Sequence, residues 1–257
     1  MNIDYASKMK PNRLLLPLAK GFAQVLLNGP VWLRKAAGAC FSFLWFDIFR
    51  IRRKTMYENL ELAFPSYTQG RRSAIALGFQ KQMGMGVIES MMIPAVTKEW
   101  VEAHFEFRGE NFHREALSQK KGVLLLSMHL GSTDLSITAI SLHGIKLNLI
   151  TKIFSISWLN NLWFGLRANH GTQFIQPHGA EAAFQILKAL KRNESVIFVL
   201  DQYMGVPYGV ETLFFNKPTG TAYGLALMAL KTGAPVVPVF AYTENSSGKH
   251  VVEFLPA

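Results

Sequence analysis

The chain reads as an α/β protein: a central, mostly parallel sheet flanked by helices, preceded by an apolar helical region that associates with membranes. Three observations predict this. From residue 104 onward short apolar runs alternate with helix-period segments, the pattern of βα units around a parallel sheet. Residues 1–100 lack that rhythm and read as mostly helical. Residues 1–81 carry 13 of the 27 basic and 4 of the 17 acidic side chains, a net of +9, which leaves +1 for the remainder. We therefore expect a membrane-associating amino-terminal region over 1–100 and an α/β core over 101–257 that forms one structural unit.

The amino-terminal apolar material lies in Leu14–Leu18, Phe22–Leu27, Val31–Leu33 and Ala36–Phe49, broken by Lys20, Asn28, Arg34, Lys35 and Asp47. No charge-free run approaches the roughly 18–20 residues of a spanning helix, so the expectation is an interfacial or shallowly inserted segment. Arg50-Ile-Arg-Arg-Lys54 follows directly and suits an anionic cytoplasmic leaflet, where each basic residue contributes about 1 kcal/mol. The alternative is a solvated basic face over an ordinary core helix. A cleaved signal peptide is not expected, because Lys20 closes a short apolar stretch and no small-residue cleavage pattern follows. Asn59–Leu62 leads into Ala63-Phe64-Pro65, where proline ends a helix. From Arg71 to Met92 apolar residues recur at helical spacing until Pro94, and the methionines among them are packing residues with no assigned chemistry.

In the core, Phe105–Arg108 is a strand, Asn111–Ser118 a helix, Val123–Met128 a buried strand, Asp134–His143 a helix and Leu147–Thr151 a strand. Then come a helix over Trp158–Ala168, a strand over Thr172–Ile175, a helix over Ala180–Lys191 and a strand over Val196–Leu200. Tyr203–Tyr208 is a Gly/Pro loop, Thr212–Phe215 a short strand, Gly220–Thr232 a helix, and Val236–Ala241 and His250–Phe254 are strands.

The most informative stretch is Lys121–Leu135. An apolar strand delivers His129 to its carboxyl end, where open α/β sheets gather their ligand and catalytic groups, and Gly131-Ser132 turn into a helix carrying Asp134. A His-x4-Asp pair alone is weak evidence: with 7 histidines and 17 acidic residues in 257 positions, about half of one such pair arises by chance. Its position at a strand end carries the reading. With Ser132 or Thr133 as N-cap, Asp134 falls in the first turn and is expected to point back at the imidazole, fix its tautomer and stabilise the imidazolium. The other ring nitrogen then accepts a proton from a hydroxyl that the substrate supplies. His170 and His178 flank the 172–175 strand, within possible reach of this site, although surface or core roles suit them better. There is no nucleophile elbow, phosphate loop, dinucleotide fingerprint or zinc-protease pair; the one cysteine, Cys40, cannot form an internal disulfide, and there is no Cys-x-x-Cys or His/Cys cluster of metal-ligand spacing. A reducing, cytosol-facing setting follows, and no metal or cofactor is expected.

The order of Asn59-Leu60, Ala63-Phe64-Pro65, Glu89, Lys121-Gly122-Val123, His129-x4-Asp134, Asp201-Gln202, Phe214-Phe215 with Pro218, and Leu230-Lys-Thr-Gly-Ala-Pro-Val-Val-Pro238 resembles the bacterial lipid A biosynthesis acyltransferases, the late lauroyl and myristoyl transferases. These are related to phosphatidylinositol mannoside acyltransferases and, more distantly, to glycerolipid acyltransferases. The resemblance spans about residues 11–255. It implies a glycerolipid-acyltransferase-like fold at the cytoplasmic face of the cell inner membrane. The activity implied is transfer of a fatty acyl chain from acyl carrier protein or acyl-CoA to a hydroxyl of a glycolipid, with a lipid A precursor of lipopolysaccharide as the expected acceptor. It makes His129 the general base and Asp134 its orienting carboxylate. Arg167, Asp201 and Gln202 become substrate-binding residues, against the plainer readings of a helix C-terminal cation for Arg167 and a turn residue for Asp201. An arginine near the thioester would stabilise an oxyanion or bind phosphate bidentately.

Three departures bear on the substrate. Many lipid A enzymes carry Glu where Asp134 stands, so another acceptor, such as a phosphatidylinositol mannoside, stays open. Ala241-Tyr-Thr-Glu244 stands where the family often has an arginine. Family members usually continue past the last strand through a further helical segment, so a naturally short or truncated member is expected. A non-catalytic lipid-binding protein on the same fold and a thioesterase-like hydrolase are the competing functions. Nucleic-acid binding is disfavoured, because no binding motif accompanies the basic charge and that charge sits beside apolar segments.

Overall fold

The computed structural model describes residues 15–152, 160, 163, 164, 170–177, 179–244 and 248–257. Most of the expected helix over 158–168, Arg167 included, and His178 lie outside the described residues.

The sheet is built as the alternating pattern predicts. Strands β1 (Phe105–Arg108), β2 (Val123–Ser127), β3 (Leu147–Ile150), β4 (Gln173–Ile175) and β5 (Ser195–Val199) are followed by a hairpin of β6 (Gly209–Phe214) and β7 (Lys217–Ala222), then by β8 (Val236–Thr243) and β9 (His250–Phe254). Seven of them form one sheet in the order β1-β9-β8-β2-β5-β3-β4, with β6 and β7 paired separately. Every pairing in the large sheet is parallel except β8 with β9.

Both faces of the sheet are covered, which is why its central strands read as continuous apolar runs. Side chains alternate between the two layers. Val123 and Leu125 of β2 and Ile197 of β5 join one apolar layer with Phe105, Leu135 and Ile140. Leu124, Val196 and Phe198 join the other, with Ile186, Leu190, Leu225 and Met228.

The amino-terminal region is helical, as expected. Helices α1 (Leu15–Asn28) and α2 (Val31–Ser42), a π-helical turn over Phe43–Ile48, α3 (Arg53–Ala63) and α4 (Gln69–Met92) precede the short α5 (Lys98–His104). The helix-ending role of Pro65 and the start of α4 agree with the sequence, Thr68 capping α4 by accepting from the Arg71 N–H at 3.3 Å. Helices α2 and α4 touch at Gly38 and Gly84, where a Cβ on Gly84 would run into the Gly38 carbonyl oxygen and Ser42 Oγ. Ser42 Oγ donates to the Gln80 carbonyl at 2.5 Å across the same contact. Leu26, Ile88 and Met92 form a buried cluster, and Leu27 and Trp100 pack against both it and the sheet's core. On α1, Ala23 and Leu26 face inward while Leu18, Phe22 and Val25 stand exposed. None of the described helices is long and apolar enough to cross a membrane.

Among the described residues the core also carries α6 (Glu110–Ser118), α7 (Thr133–Leu142), α8 (Gly179–Lys191) and α9 (Gly224–Thr232). One element departs from expectation. Residues 217–222 are a strand, so the first three residues of the helix expected over Gly220–Thr232 are extended instead, and the strand pairs antiparallel with β6 from Phe214↔Lys217 to Gly209↔Ala222. Pro218 and Gly220 disguise it, since both are poor strand residues and are tolerated because this ribbon has only two strands, each an edge.

Candidate active site

Two neighbouring strands deliver the site. In the β2–β5 register Ser127 faces Val199, and the Leu200 N–H donates to the Ser127 carbonyl at 3.1 Å, so both chains leave the sheet side by side. His129 and Asp201 each lie two residues beyond that matched pair. They meet there, and His129 Nδ1 and Asp201 Oδ1 are 2.8 Å apart. The loop carrying His129 is held by Gly131 at φ +63°, where a Cβ would sit 2.9 Å from the Ala241 carbonyl oxygen on β8. The pair is accessible, with 49% and 38% of the two side chains exposed.

Asp134 is not the partner of this imidazole, contrary to the sequence-based expectation. The Gly131-Ser132 turn sets it in the first turn of α7, but its carboxylate faces α4, where Ser90 Oγ donates to Asp134 Oδ2 at 3.4 Å. Four residues separate Asp134 from His129, and the carboxylate comes within reach of Ser90 on α4. Asp201 comes from the adjoining strand and is already level with the ring. Ser132 occupies the N-cap position without a side-chain cap.

With the Nδ1 proton donated to Asp201, the Nε2 lone pair is left to accept a proton from a hydroxyl, and an imidazolium formed by that transfer keeps a carboxylate beside it. Helix α4 also brings Glu89 under the loop. Glu89 is buried, and burial pushes its carboxyl up to about 7, against the lowering effects of Ser132 and Arg34. His250 of β9, with Nε2 3.8 Å from Glu89 Oε1, is pushed down to about 4 by burial and by the neighbouring His104 and Arg34. Sequence reasoning had Glu89 only as one residue of the resemblance, and its burial against His250 depends on packing between residues far apart in the chain.

Other histidines have structural partners. His113 Nε2 lies 2.8 Å from Ser195 Oγ, and His143 Nε2 lies 3.0 Å from Glu110 Oε2. His170 Nε2 donates to the Ile93 carbonyl at 2.7 Å. On the edge strands, where the family resemblance leads one to expect an arginine after Phe240, Tyr242 Oη accepts from Arg108 of β1 at 3.2 Å, and that guanidinium also binds Glu106 and Glu244.

A cavity of about 420 Å³ lies between α8 and α9 at the carboxyl ends of β3 and β5, lined by Leu200 and Gln202 on either side of Asp201 but not by His129 or Asp201 themselves. Ala182, Ile186, Phe198, Leu227 and Met228 make it apolar, while Gln202, the residue after Asp201, stands in its wall. The size falls within the roughly 300–1,000 Å³ of small-molecule sites.

The chain is similar to bacterial proteins of lipid A biosynthesis. It is 27% identical over 201 residues to the lipid A biosynthesis lauroyltransferase of Escherichia coli, covering 77% of this chain and 63% of that protein. It is 23% identical over 211 residues to a lipid A biosynthesis acyltransferase of Haemophilus influenzae, covering 80% of this chain and 64% of that protein. In each case the aligned part is a little under two thirds of the relative's length. The model of the bacterial lipid A biosynthesis acyltransferase family matches residues 9–257, and the chain belongs to that family.

Proposed function

We propose that this chain transfers a fatty acyl group from the thioester of acyl carrier protein or coenzyme A to a hydroxyl of a glycolipid, a lipid A precursor, at the cytoplasmic face of the inner membrane. The observation that carries the reading is the imidazole–carboxylate pair at the carboxyl edge of a parallel sheet, next to an apolar cavity that suits a hydrocarbon chain. The exposed apolar face of α1 and the basic run after it support association with lipid.

In this mechanism His129 Nε2 takes the proton of the acceptor hydroxyl as its oxygen attacks the thioester carbonyl. A tetrahedral oxyanion forms, the C–S bond breaks, and the imidazolium returns the proton to the leaving thiolate, giving an ester and a free thiol. Asp201 holds the Nδ1 proton throughout and stabilises the imidazolium. Asp134, hydrogen-bonded by Ser90, sits in the first turn of α7 as a second carboxylate flanking the loop. Gln202 contacts the acyl chain or its carbonyl from the cavity wall. Arg167 supplies a cation to the oxyanion or to an acceptor phosphate.

Incubating the protein with acyl carrier protein or coenzyme A bearing a labelled acyl group, together with a lipid A precursor, tests the proposal. Labelled glycolipid ester is the expected product. Free labelled fatty acid without ester would make the protein a hydrolase, and an unchanged thioester would make it a lipid binder.

A further inference from the structure

We propose that the β6–β7 hairpin is a second membrane-inserting element, whose tip, Leu213-Phe214-Phe215, enters an anionic lipid surface alongside the amino-terminal helices. The inference rests on the membrane-associated function proposed above and extends it to a part of the molecule well outside the amino-terminal region.

The tip is apolar and uncovered. Leu213, Phe214 and Phe215 are 73%, 66% and 47% exposed. Consecutive strand residues point to opposite faces, so Leu213 and Phe214 expose apolar surface on both sides of the ribbon. A surface that docks on a folded partner needs apolar residues on one face, whereas a tip apolar on both faces suits a medium that surrounds it. That distinguishes lipid from protein. The turn residues Phe215 and Asn216 have φ +48° and +57°. Such a turn ordinarily takes Asn-Gly or a similar pair, so an aromatic side chain stands here against the backbone preference.

The tip is also continuous with the amino-terminal region. Phe215 packs edge-on against Phe64 at the end of α3, with ring centroids 6.0 Å apart, and Phe64 stacks on Tyr67. Charge near the tip has the sign a bilayer of anionic lipid attracts. Lys217 pairs with Phe214 across the turn, and the Arg71 guanidinium lies 3.7 Å over the Tyr67 ring. Arg50–Lys54 lie at the other end of the 11-residue α3, about 16 Å away by helical rise. The acidic Glu211 sits back toward the hairpin's base, opposite Gly220. At that base Tyr208 and Ala222 line the apolar cavity, so a hairpin set in lipid would hold the cavity's rim at the membrane.

The test uses the single native cysteine, Cys40, which is exposed and is replaced by serine. In that background Leu213→Cys or, as a control, Gln119→Cys is labelled with a polarity-sensitive dye. Gln119 is exposed and precedes β2, at the edge of the sheet opposite His129. Vesicles are 3:1 phosphatidylethanolamine to phosphatidylglycerol. Expected are sedimentation with the vesicles, and a blue shift with quenching by lipid-borne quenchers for the dye at 213 but not at 119. Replacing Leu213 and Phe214 by serine is expected to weaken vesicle partition about tenfold with melting unchanged. Vesicle binding with the 213 dye still in water overturns the hairpin proposal and leaves membrane association standing. No vesicle binding overturns both. A dye response to acyl carrier protein without vesicles makes the tip a protein-docking face and overturns the lipid assignment.

Discussion

Replacing Glu89 with Gln should stabilise the protein, and the gain should grow with pH. Glu89 is buried beneath the His129 loop, and its carboxyl is raised from 4.5 to about 7, mainly by burial. The folded chain therefore keeps this proton up to about pH 7, whereas the unfolded chain releases it near 4.5. Between those values the folded state binds more protons, so this group's contribution to stability falls as pH rises. At about 1.36 kcal/mol for each pH unit of displacement, the full cost of holding the ionised carboxylate is about 3 kcal/mol, reached above pH 7. Gln keeps the shape of the protonated acid and carries no proton to lose. We expect Glu89→Gln to exceed the parent by about 1 kcal/mol at pH 5 and about 3 kcal/mol at pH 8, read from urea unfolding at each pH. His250 acts in the opposite direction: lowered to about 4, it makes both proteins gain stability as pH rises from 4 to 6.5, and the difference between them removes it. An advantage that is equal at the two pH values, or a variant less stable at pH 8, would refute the reasoning.

Four other substitutions separate the parts of the site. Asp201→Asn should lower kcat about a hundredfold or more with KM little changed, because the imidazole loses the carboxylate that sets its tautomer, and Asp134→Asn should cost less. Steady-state kinetics giving the reverse order would return the orienting role to Asp134. Gly131→Ala should lower kcat, since alanine at φ +63° costs about 1–2 kcal/mol and its Cβ meets the Ala241 carbonyl, displacing the loop that holds His129. A crystal structure showing that loop unmoved, with full activity, would contradict this. Ala183→Phe, which adds a ring to the cavity wall, should shift donor preference toward shorter acyl chains, measured by competition between thioesters of different length.

Much of the core was legible because its signals are local. The apolar run before His129, the turn at Gly131 and the helix after it each follow from a few adjacent residues, as does the termination at Pro65. The partner of His129 was not legible in the same way. Asp201 reaches the imidazole because β5 lies beside β2 with Ser127 level with Val199, and sheet order is a long-range property that the two segments do not announce. The offset His-x4-Asp drew attention to Asp134 because it is close in sequence, while one oxygen of its carboxylate accepts from Ser90 on α4. Strand β7 was hidden by Pro218 and Gly220 and by the helical pattern directly after it. The contact of Gly38 with Gly84 and the burial of Glu89 depend on how α4 packs, which spacing within one helix does not reveal.

The most direct measurement is kcat of His129→Ala in acyl transfer from a labelled thioester to the glycolipid, alongside vesicle partition of the same variant. A group that takes the acceptor's proton contributes on the order of 10²–10⁴-fold. Loss of that size with partition unchanged is the predicted result, and transfer within about threefold of the parent would contradict the assignment of His129 as the base.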